Sequence, residues 1–139
     1  MMFDRLVESI ASGADAEAFP RGQSRELQLA TAMALVATMS ADYIFRPEET
    51  RAVVDSLADL FGFDRRKCRK LLARAMAARQ RDPSIFNSAM MLRRLGSPAF
   101  NGKVLAAADF VANADGELHA YEKDLLQRLE RLLVAQEKH

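Results

Sequence analysis

Two short segments of this sequence each place an aspartate seven residues ahead of a glutamate. The first pair is Asp42 and Glu49, and the second pair is Asp115 and Glu122. Carboxylate oxygens are the ligands that Ca²⁺ and Mg²⁺ prefer, and backbone carbonyls of a turn can complete the coordination. The segments therefore predict two candidate metal sites, with Asp115 and Glu122 as the first choice and the other pair as the second. We expect any Ca²⁺ or Mg²⁺ to bind weakly, because few charged ligands converge.

The same acidic residues have a purely structural interpretation. Each Glu falls three positions past the expected N-cap of a helix, Arg46 or His119, where it can accept a hydrogen bond from the N-cap N–H. Asp115-Gly116 is also a common turn pair. An Asp near a helix C-terminus, however, faces the negative end of the helix dipole and gains from a nearby cation. From the residues alone, helix capping and cation binding both stay open.

The second acidic segment matches the calcium-binding loop of an EF-hand only in part. With Gly116 at the sixth loop position, Asp115 and Glu122 take the fifth and twelfth positions, which suit ligands. Val111 then falls at the first position, where its side chain cannot coordinate a metal. In the first segment, Tyr43 stands where the loop needs Gly. The pattern therefore excludes a true EF-hand.

Residues that could support catalysis are few. The chain has no Gly-rich phosphate loop and no nucleophile elbow, and its two histidines are His119 and His139. We expect His119 to be exposed near a helix N-cap, with a role as metal ligand or general base as the alternative. The single cysteine, Cys68, excludes an internal disulfide; we expect it to be buried, although exposure would make it a reactive thiol. The sequence therefore predicts no enzyme activity.

One predicted helix, from Arg65 to about Arg81, contains no acidic residue. Its apolar side chains share one face and its cations mostly share the other, with only Arg79 straying toward the apolar face. The simplest interpretation is a solvated face. The alternative is a docking surface for anionic lipid, RNA or an acidic partner, although the helix lacks aromatics that would stack on bases. This candidate surface consists of Arg65, Arg66, Lys67, Arg69, Lys70 and Arg74.

The composition is that of an ordinary globular protein with a helical bias. Half of the 139 residues are hydrophobic and 28% are charged, and the common apolar types favour helix over strand. The formal net charge of +1 creates no global field toward nucleic acid or anionic lipid. The longest nearly apolar stretch, residues 27–39, is shorter than the ~20 residues of a membrane span, and the acidic start does not fit a signal peptide. We expect a cytoplasmic, soluble protein.

Helical periodicity and breaker residues predict an all-α bundle of six to seven helices with no strands. A short amphipathic helix is expected over residues 3–11, with Phe3, Leu6, Val7 and Ile10 on one face. A later helix, between Asp82-Pro83 and Gly96, is expected to bury Ile85, Phe86, Ala89, Met90 and Leu92. The chain reads as one domain with four parts: an N-terminal helix and loop (1–24), a first hairpin (25–63), basic and connecting helices (64–97) and a second hairpin (98–139).

The two acidic segments belong to an internal repeat. Residues 41–49, ADYIFRPEE, can be laid over residues 114–122, ADGELHAYE, and each lies between an Ala-rich helix and an amphipathic one. A repeat of this kind predicts two similar hairpins about a pseudo-twofold axis. Residues 104–133, VLAAADFVANADGELHAYEKDLLQRLERLL, resemble the signature of the TerB-like tellurite-resistance family, in which Ala-Asp-Gly is followed by a Glu that opens an amphipathic helix. The resemblance covers roughly residues 25–139 and is weaker at the first segment, where Tyr43 replaces the turn Gly.

The resemblance implies an all-helical fold, shared with the N-terminal domain of DjlA-type membrane-attached co-chaperones, and a link to tellurite and other chemical stress. It also implies that acidic residues bind divalent cations. We therefore expect a non-enzymatic bacterial stress-response domain that acts as a cation-responsive or protein-docking module, with another protein or a second copy as its partner. Two alternatives remain: a plain interaction or scaffold domain whose acidic turns are only caps, and a module that binds anionic membrane surfaces through its basic helix.

Overall fold

The computed structural model describes residues 24–39 and 46–134, and this part of the chain contains six helices and no strand. The prediction of an all-α fold is confirmed. The predicted helix over residues 3–11, as well as Asp42 and Tyr43, lie outside the described residues. No helix of the described ranges is long and apolar enough to cross a membrane. The helices are α1 (Ser24–Met39), α2 (Pro47–Phe61), α3 (Arg65–Arg81), α4 (Ile85–Leu95), α5 (Pro98–Ala112) and α6 (Ala120–Val134).

Capping residues set most of the helix boundaries. Helix α2 begins at Pro47 and ends before Gly62, which has a φ of 72° and donates its N–H to the carbonyl oxygen of Ala58. The Asp64 carboxylate accepts a hydrogen bond from the Lys67 N–H at 2.8 Å and so caps α3. The Ser97 hydroxyl caps α5 in the same way. These boundaries agree with the local sequence signals, because caps and left-handed glycines act over only a few residues.

The start of α4 lies slightly later than the Asp82-Pro83 pair indicates. Ser84 is the N-cap, and its hydroxyl oxygen accepts a hydrogen bond from the Phe86 N–H at 3.1 Å. Asp82 accepts a bond from the side-chain amide of Asn87 at 2.8 Å. Ser84 and Asp82 therefore both stabilise the turn between α3 and α4.

The central helix of the bundle is α1, which packs against each of the other five helices. Its two buried threonines, Thr31 and Thr38, donate their hydroxyls to the carbonyl oxygens of Leu27 and Ala34, at 2.8 and 3.0 Å. This satisfies both polar groups within the helix. An almost entirely apolar helix is expected at the centre of a bundle, because no face of it gains from contact with water.

The predicted inner face of α4 is wrong at Phe86. This side chain is 52% exposed, whereas the helix buries Ile85, Ser88, Ala89, Leu92 and Leu95. The buried set follows the helical spacing of i, i+3, i+4 and i+7 from Ile85, and Phe86 lies one position outside it. Met90 is only half-buried. The face of α4 toward the core is therefore narrower than the sequence suggested, and an aromatic ring is left at the surface.

Two helical hairpins flank the basic helix α3 and helix α4. The first is formed by α1 and α2, and the second by α5 and α6; α2 packs against α5, and α1 packs against both α5 and α6. The start of α2 and the start of α6 are brought together through the side chains of Glu49 and Glu122. Glu49 and Glu122, one from each predicted segment, lie in the first turns of these two helices.

Candidate functional site

Glu49 and Glu122 form the centre of the candidate site. Each lies in the first turn of its helix, α2 or α6, and each is fully buried. The two carboxyl groups are close enough for a hydrogen bond when one of them carries a proton. The pKa of Glu49 is raised to about 8, chiefly by burial and then by the hydrogen bond with Glu122 and the negative charge of that residue. The structure thus joins one residue from each predicted metal pair.

Most oxygens of this pair have no hydrogen-bond donor among the described residues. Both oxygens of Glu49, and Oε2 of Glu122, are buried and accept no hydrogen bond there. Ionised carboxylates are acceptors only, so the two groups cannot satisfy each other without a shared proton. Burying unsatisfied carboxylates costs several kcal/mol per ion. This arrangement calls for either a bound proton or a bound cation.

The capping interpretation explains only part of the geometry. Oε1 of Glu122 accepts a hydrogen bond from the N–H of His119, the residue before α6, at a long 3.4 Å. This is the contact that a capping box requires. Glu49 occupies the corresponding place in α2, yet its oxygens accept no such bond from described residues, and Arg46 makes no side-chain cap. Helix capping therefore accounts for one oxygen of the pair and leaves the other three unexplained.

Arg46 connects the two acidic segments. Its Nη1 lies 3.7 Å from Oε1 of Glu49, and its Nε lies 3.2 Å from Oδ2 of Asp115. The guanidinium lowers the pKa of Glu49, against the larger effects of burial and Glu122. The sequence indicated Arg46 only as an N-cap; its role as a bridge depends on the packing of α2 against the second hairpin, which no local pattern encodes.

Asp115 is fixed by the turn that it belongs to. Its Oδ1 accepts a hydrogen bond from the Glu117 N–H at 3.0 Å, and its Oδ2 lies 2.9 Å from Nε2 of His119. Gly116 supplies the positive φ of 87° that this turn needs. The hydrogen bond with His119 is the main reason that the pKa of Asp115 is lowered and that the pKa of His119 is raised. His119 is half-buried rather than exposed, because its ring folds back onto this carboxylate.

The structure places three of the four predicted metal ligands in one region. Glu49 and Glu122 interact directly, Arg46 links Glu49 to Asp115, and His119 contacts both Asp115 and Glu122. Asp42, the fourth, lies outside the described residues. Across the described ranges, no set of three or more His, Cys, Asp or Glu side chains is arranged to hold a metal ion. The residues fit a cation in one respect: buried carboxylate oxygens accept no hydrogen bond from described residues. Two described residues, Glu49 and Glu122, supply such oxygens.

The cations of α3 lie mostly in water, as the sequence indicates. Arg66, Arg69, Lys70 and Arg74 are exposed. The other two residues of the candidate surface make local contacts: Arg65 forms an ion pair with Asp55 at 2.9 Å, and Lys67 lies over the ring of Phe63, 4.1 Å from its centroid. All six residues of this surface are exposed, and Arg65 and Lys67 also make these local contacts.

Cys68 lies on the opposite face of the same helix and is fully buried. Burial, followed by the charge of Asp64, raises the pKa of its thiol. A buried thiol with a raised pKa forms little thiolate and reacts slowly. The expectation that this cysteine packs into the core is confirmed.

The comparisons with known proteins agree with the resemblance of the second hairpin. A family model described as "Tellurite resistance protein TerB" matches residues 28–138. This range includes both acidic segments and all six described helices except the first turn of α1. No curated protein and no solved structure matches the chain.

Proposed function

Because this chain belongs to the TerB family of tellurite resistance proteins, we propose that it is a non-enzymatic, cation-responsive domain that binds a divalent cation between Glu49 and Glu122. The observation that carries the proposal is the pair of fully buried carboxyl groups, three of whose four oxygens accept no hydrogen bond from described residues. The setting would be a bacterial stress response in the cytoplasm. The partner that binds the cation-loaded form would be another protein or a second copy of the chain.

Charge and ligand chemistry support a divalent ion. Two carboxylates neutralise the charge of Ca²⁺ or Mg²⁺, and both ions prefer oxygen ligands. Glu49 and Glu122 would supply the charged ligands, with Asp115, Asp42 and carbonyls of the two turns as further oxygen donors. Since two charged ligands are fewer than in high-affinity sites, the expected affinity is weak.

Cation binding at this pair would be coupled to proton release. The pKa of Glu49 is raised to about 8, so near neutral pH the free pair holds a proton that a cation must displace. The cation would also join the first turns of α2 and α6, which belong to different hairpins. Ligand binding to the folded state would thus stabilise the contact between the hairpins, and this is the physical basis of the proposed response.

The proposal is tested by titrating the full chain with CaCl₂ or MgCl₂ while amide shifts are followed by NMR. We expect shifts centred on the first turns of α2 and α6, and their loss in Glu49→Gln and Glu122→Gln. The matched control is Glu48→Gln, because Glu48 lies in the same first turn of α2 but is exposed. Amides near Glu49 and Glu122 that stay still at millimolar cation, or a Glu48→Gln variant that loses the response, would contradict the proposal.

The rival interpretation is an interaction or scaffold domain whose acidic turns only cap helices. It predicts that Glu122→Gln and Asp115→Asn lose the same stability with and without added cation. The long 3.4 Å bond from the His119 N–H to Glu122 favours it for that one residue. The oxygens of Glu49, which accept no hydrogen bond from the described residues, favour cation binding instead.

A second candidate function rests on α3. Arg66, Arg69, Lys70 and Arg74 are exposed on a helix without acidic residues, which is the charge pattern of a helix that lies on an anionic membrane surface. Binding to vesicles containing phosphatidylserine should weaken as salt rises, since each cation near the surface contributes about 1 kcal/mol. Replacing these four residues by Gln should abolish it. Vesicle binding that does not change with salt concentration, or that persists in the variant, would show that the surface is only solvated.

A further inference from the structure

A groove of about 400 Å³ lies along one face of α6, closed on its other side by the end of α3 and the start of α4. Two large aromatic side chains stand on it: Phe86 is 52% exposed and Tyr121 is 68% exposed. Leu132 lines the groove further along α6. Single exposed hydrophobic residues are common on soluble proteins. Aromatic and aliphatic side chains that are grouped along one groove instead indicate an interaction surface.

The charges of the groove are unbalanced among the described residues. Arg128 and Asp124 form an ion pair at 3.0 Å within α6, so each has a partner. Arg79, the one cation that strays toward the apolar side of α3, also lines the groove, and its Nε is buried without a hydrogen-bond partner in the described ranges. A buried donor without a partner is unfavourable. The groove therefore fits an apolar segment that brings its own carboxylate.

We propose that this groove is the docking site for residues 3–11 of the same chain, which lie outside the described residues. The sequence predicts an amphipathic helix there, with Phe3, Leu6, Val7 and Ile10 on one face. At 1.5 Å per residue, a helical stripe from Phe3 to Ile10 is about 11 Å long. The groove-lining face of α6, from Tyr121 to Leu132, is about 16 Å long by the same measure. The segment is therefore short enough to lie along the groove.

Charge complementarity supports this occupant. On a helical projection of residues 3–11, Asp4 borders the apolar face, and Glu8 follows Asp4 one turn later. An acidic edge beside an apolar stripe suits a groove in which Nε of Arg79 is buried and has no hydrogen-bond partner among the described residues. Reach is also sufficient: the twelve residues between the segment and α1 can span up to about 40 Å when extended. A domain of this length has a radius of gyration of about 14 Å, so the segment can reach any face.

The test uses the full chain labelled with 3-fluorotyrosine, which gives one ¹⁹F signal for each of its two tyrosines; Tyr121→Phe assigns the signals. Leu6→Asp places a charge on the apolar face of the segment and should move the Tyr121 signal by more than its linewidth. Ser9→Asp adds the same charge off that face and should leave the signal in place. An unmoved Tyr121 signal in Leu6→Asp overturns the proposal, as does a matching shift in Ser9→Asp.

A charge exchange provides a second, independent measurement. Arg79→Glu should move the Tyr121 signal as Leu6→Asp does, and adding Asp4→Arg with Glu8→Arg should return it to the position seen in the unaltered chain. If the exchange does not restore the signal, the proposed contact between Arg79 and the acidic residues of the segment is contradicted. A signal that depends on protein concentration would instead place a second copy in the groove and overturn docking within one chain.

Discussion

Glu49 and Glu122, which open helices in two different hairpins, meet in the interior of the bundle with their carboxyl groups within hydrogen-bonding reach when one is protonated. A buried pair of acids is an unfavourable feature unless it is needed, because apolar residues of similar volume are often more stabilising at such positions. The pair lies where the hairpins contact each other, so its charge state affects the packing between them. Protonation or cation binding can each relieve the repulsion, and the two predict different responses to pH.

The first prediction is that stability falls as pH rises toward 8, and that Glu49→Gln removes the part of this fall that the buried pair causes. The ordinary pKa of Glu is 4.5, and in the folded chain it is raised to about 8. Between these values the folded state holds more protons than the unfolded state, so the free energy of unfolding decreases with increasing pH. The decrease should be a few kcal/mol in all. It is measured by urea unfolding at about pH 5 and about pH 9.

Glu48→Gln provides the control, since the exposed Glu48 should leave the pH profile unchanged. Added Ca²⁺ or Mg²⁺ should restore stability to the unaltered chain at about pH 9, where the cation no longer competes with the proton. Equal stability of the unaltered chain at both pH values would contradict the raised pKa of Glu49.

The second prediction concerns His119 and Asp115. The pKa of His119 is raised and that of Asp115 is lowered, in both cases mainly by the hydrogen bond between them. The contribution of His119 is complete below its ordinary pKa of 6.5 and is lost as pH rises through the higher folded value. The contribution of Asp115 is present above 3.8 and is lost as pH falls. His119→Gln should therefore destabilise the protein more at about pH 5.5 than at about pH 9.

This experiment is best made in the Glu49→Gln background, which removes the titration of the buried pair. His139→Gln is the control for the loss of a histidine. An effect of His119→Gln that is equal at both pH values would show that the ring acts only through packing. Asp115→Asn should reduce the pH dependence that His119 causes, since it removes the charge that the imidazolium contacts.

Local sequence signals predicted the helices well because the forces that end a helix are local. Pro47 begins α2, Gly62 ends it and Asp64 caps α3, as residues of these types commonly do, and α1 is central because it lacks a polar face. The contact between Glu49 and Glu122 was beyond such reasoning. The repeat predicted that the two residues are equivalent, but it paired each with the Asp of its own turn. Which side chains meet across the hairpins depends on how the two hairpins pack, and periodicity carries no information about that.

Phe86 shows a different kind of error. Helical periodicity defines a face only to within about one residue position, and the neighbours Ile85 and Phe86 are both large and apolar. The sequence therefore could not tell that Ile85 points to the core while Phe86 lies in the groove. Arg79 was the better signal, because a cation near the apolar side of the helix indicates the edge of the core, and Arg79 lines the groove.

The third prediction contrasts two glycines. A Cβ at Gly96 would meet Oδ1 of Asn101 and lie 3.0 Å from the carbonyl oxygen of Leu92, which also accepts the Asn101 side-chain amide at 3.0 Å. Gly96→Ala should cost about 1–3 kcal/mol, because the buried Asn101 must move. Gly102, inside α5, has nothing within 4 Å of an added Cβ, so Gly102→Ala should stabilise the protein by about 0.5–1 kcal/mol. Urea unfolding measures both, and equal signs for the two changes would contradict the packing at Gly96.

The fourth prediction is that Cys68 reacts with a thiol reagent only when the bundle opens. The side chain is fully buried, its Sγ lies 3.8 Å from the carbonyl oxygen of Phe63, and burial raises its pKa. Labelling by Ellman's reagent near neutral pH should be at least about a hundredfold slower than in urea-unfolded chain, because opening costs several kcal/mol. The control is Ala73→Cys with Cys68→Ala, since Ala73 is exposed on the same helix and should label at the unfolded rate. Rapid labelling of native Cys68 would contradict its burial and make the thiol available to tellurite or oxidants.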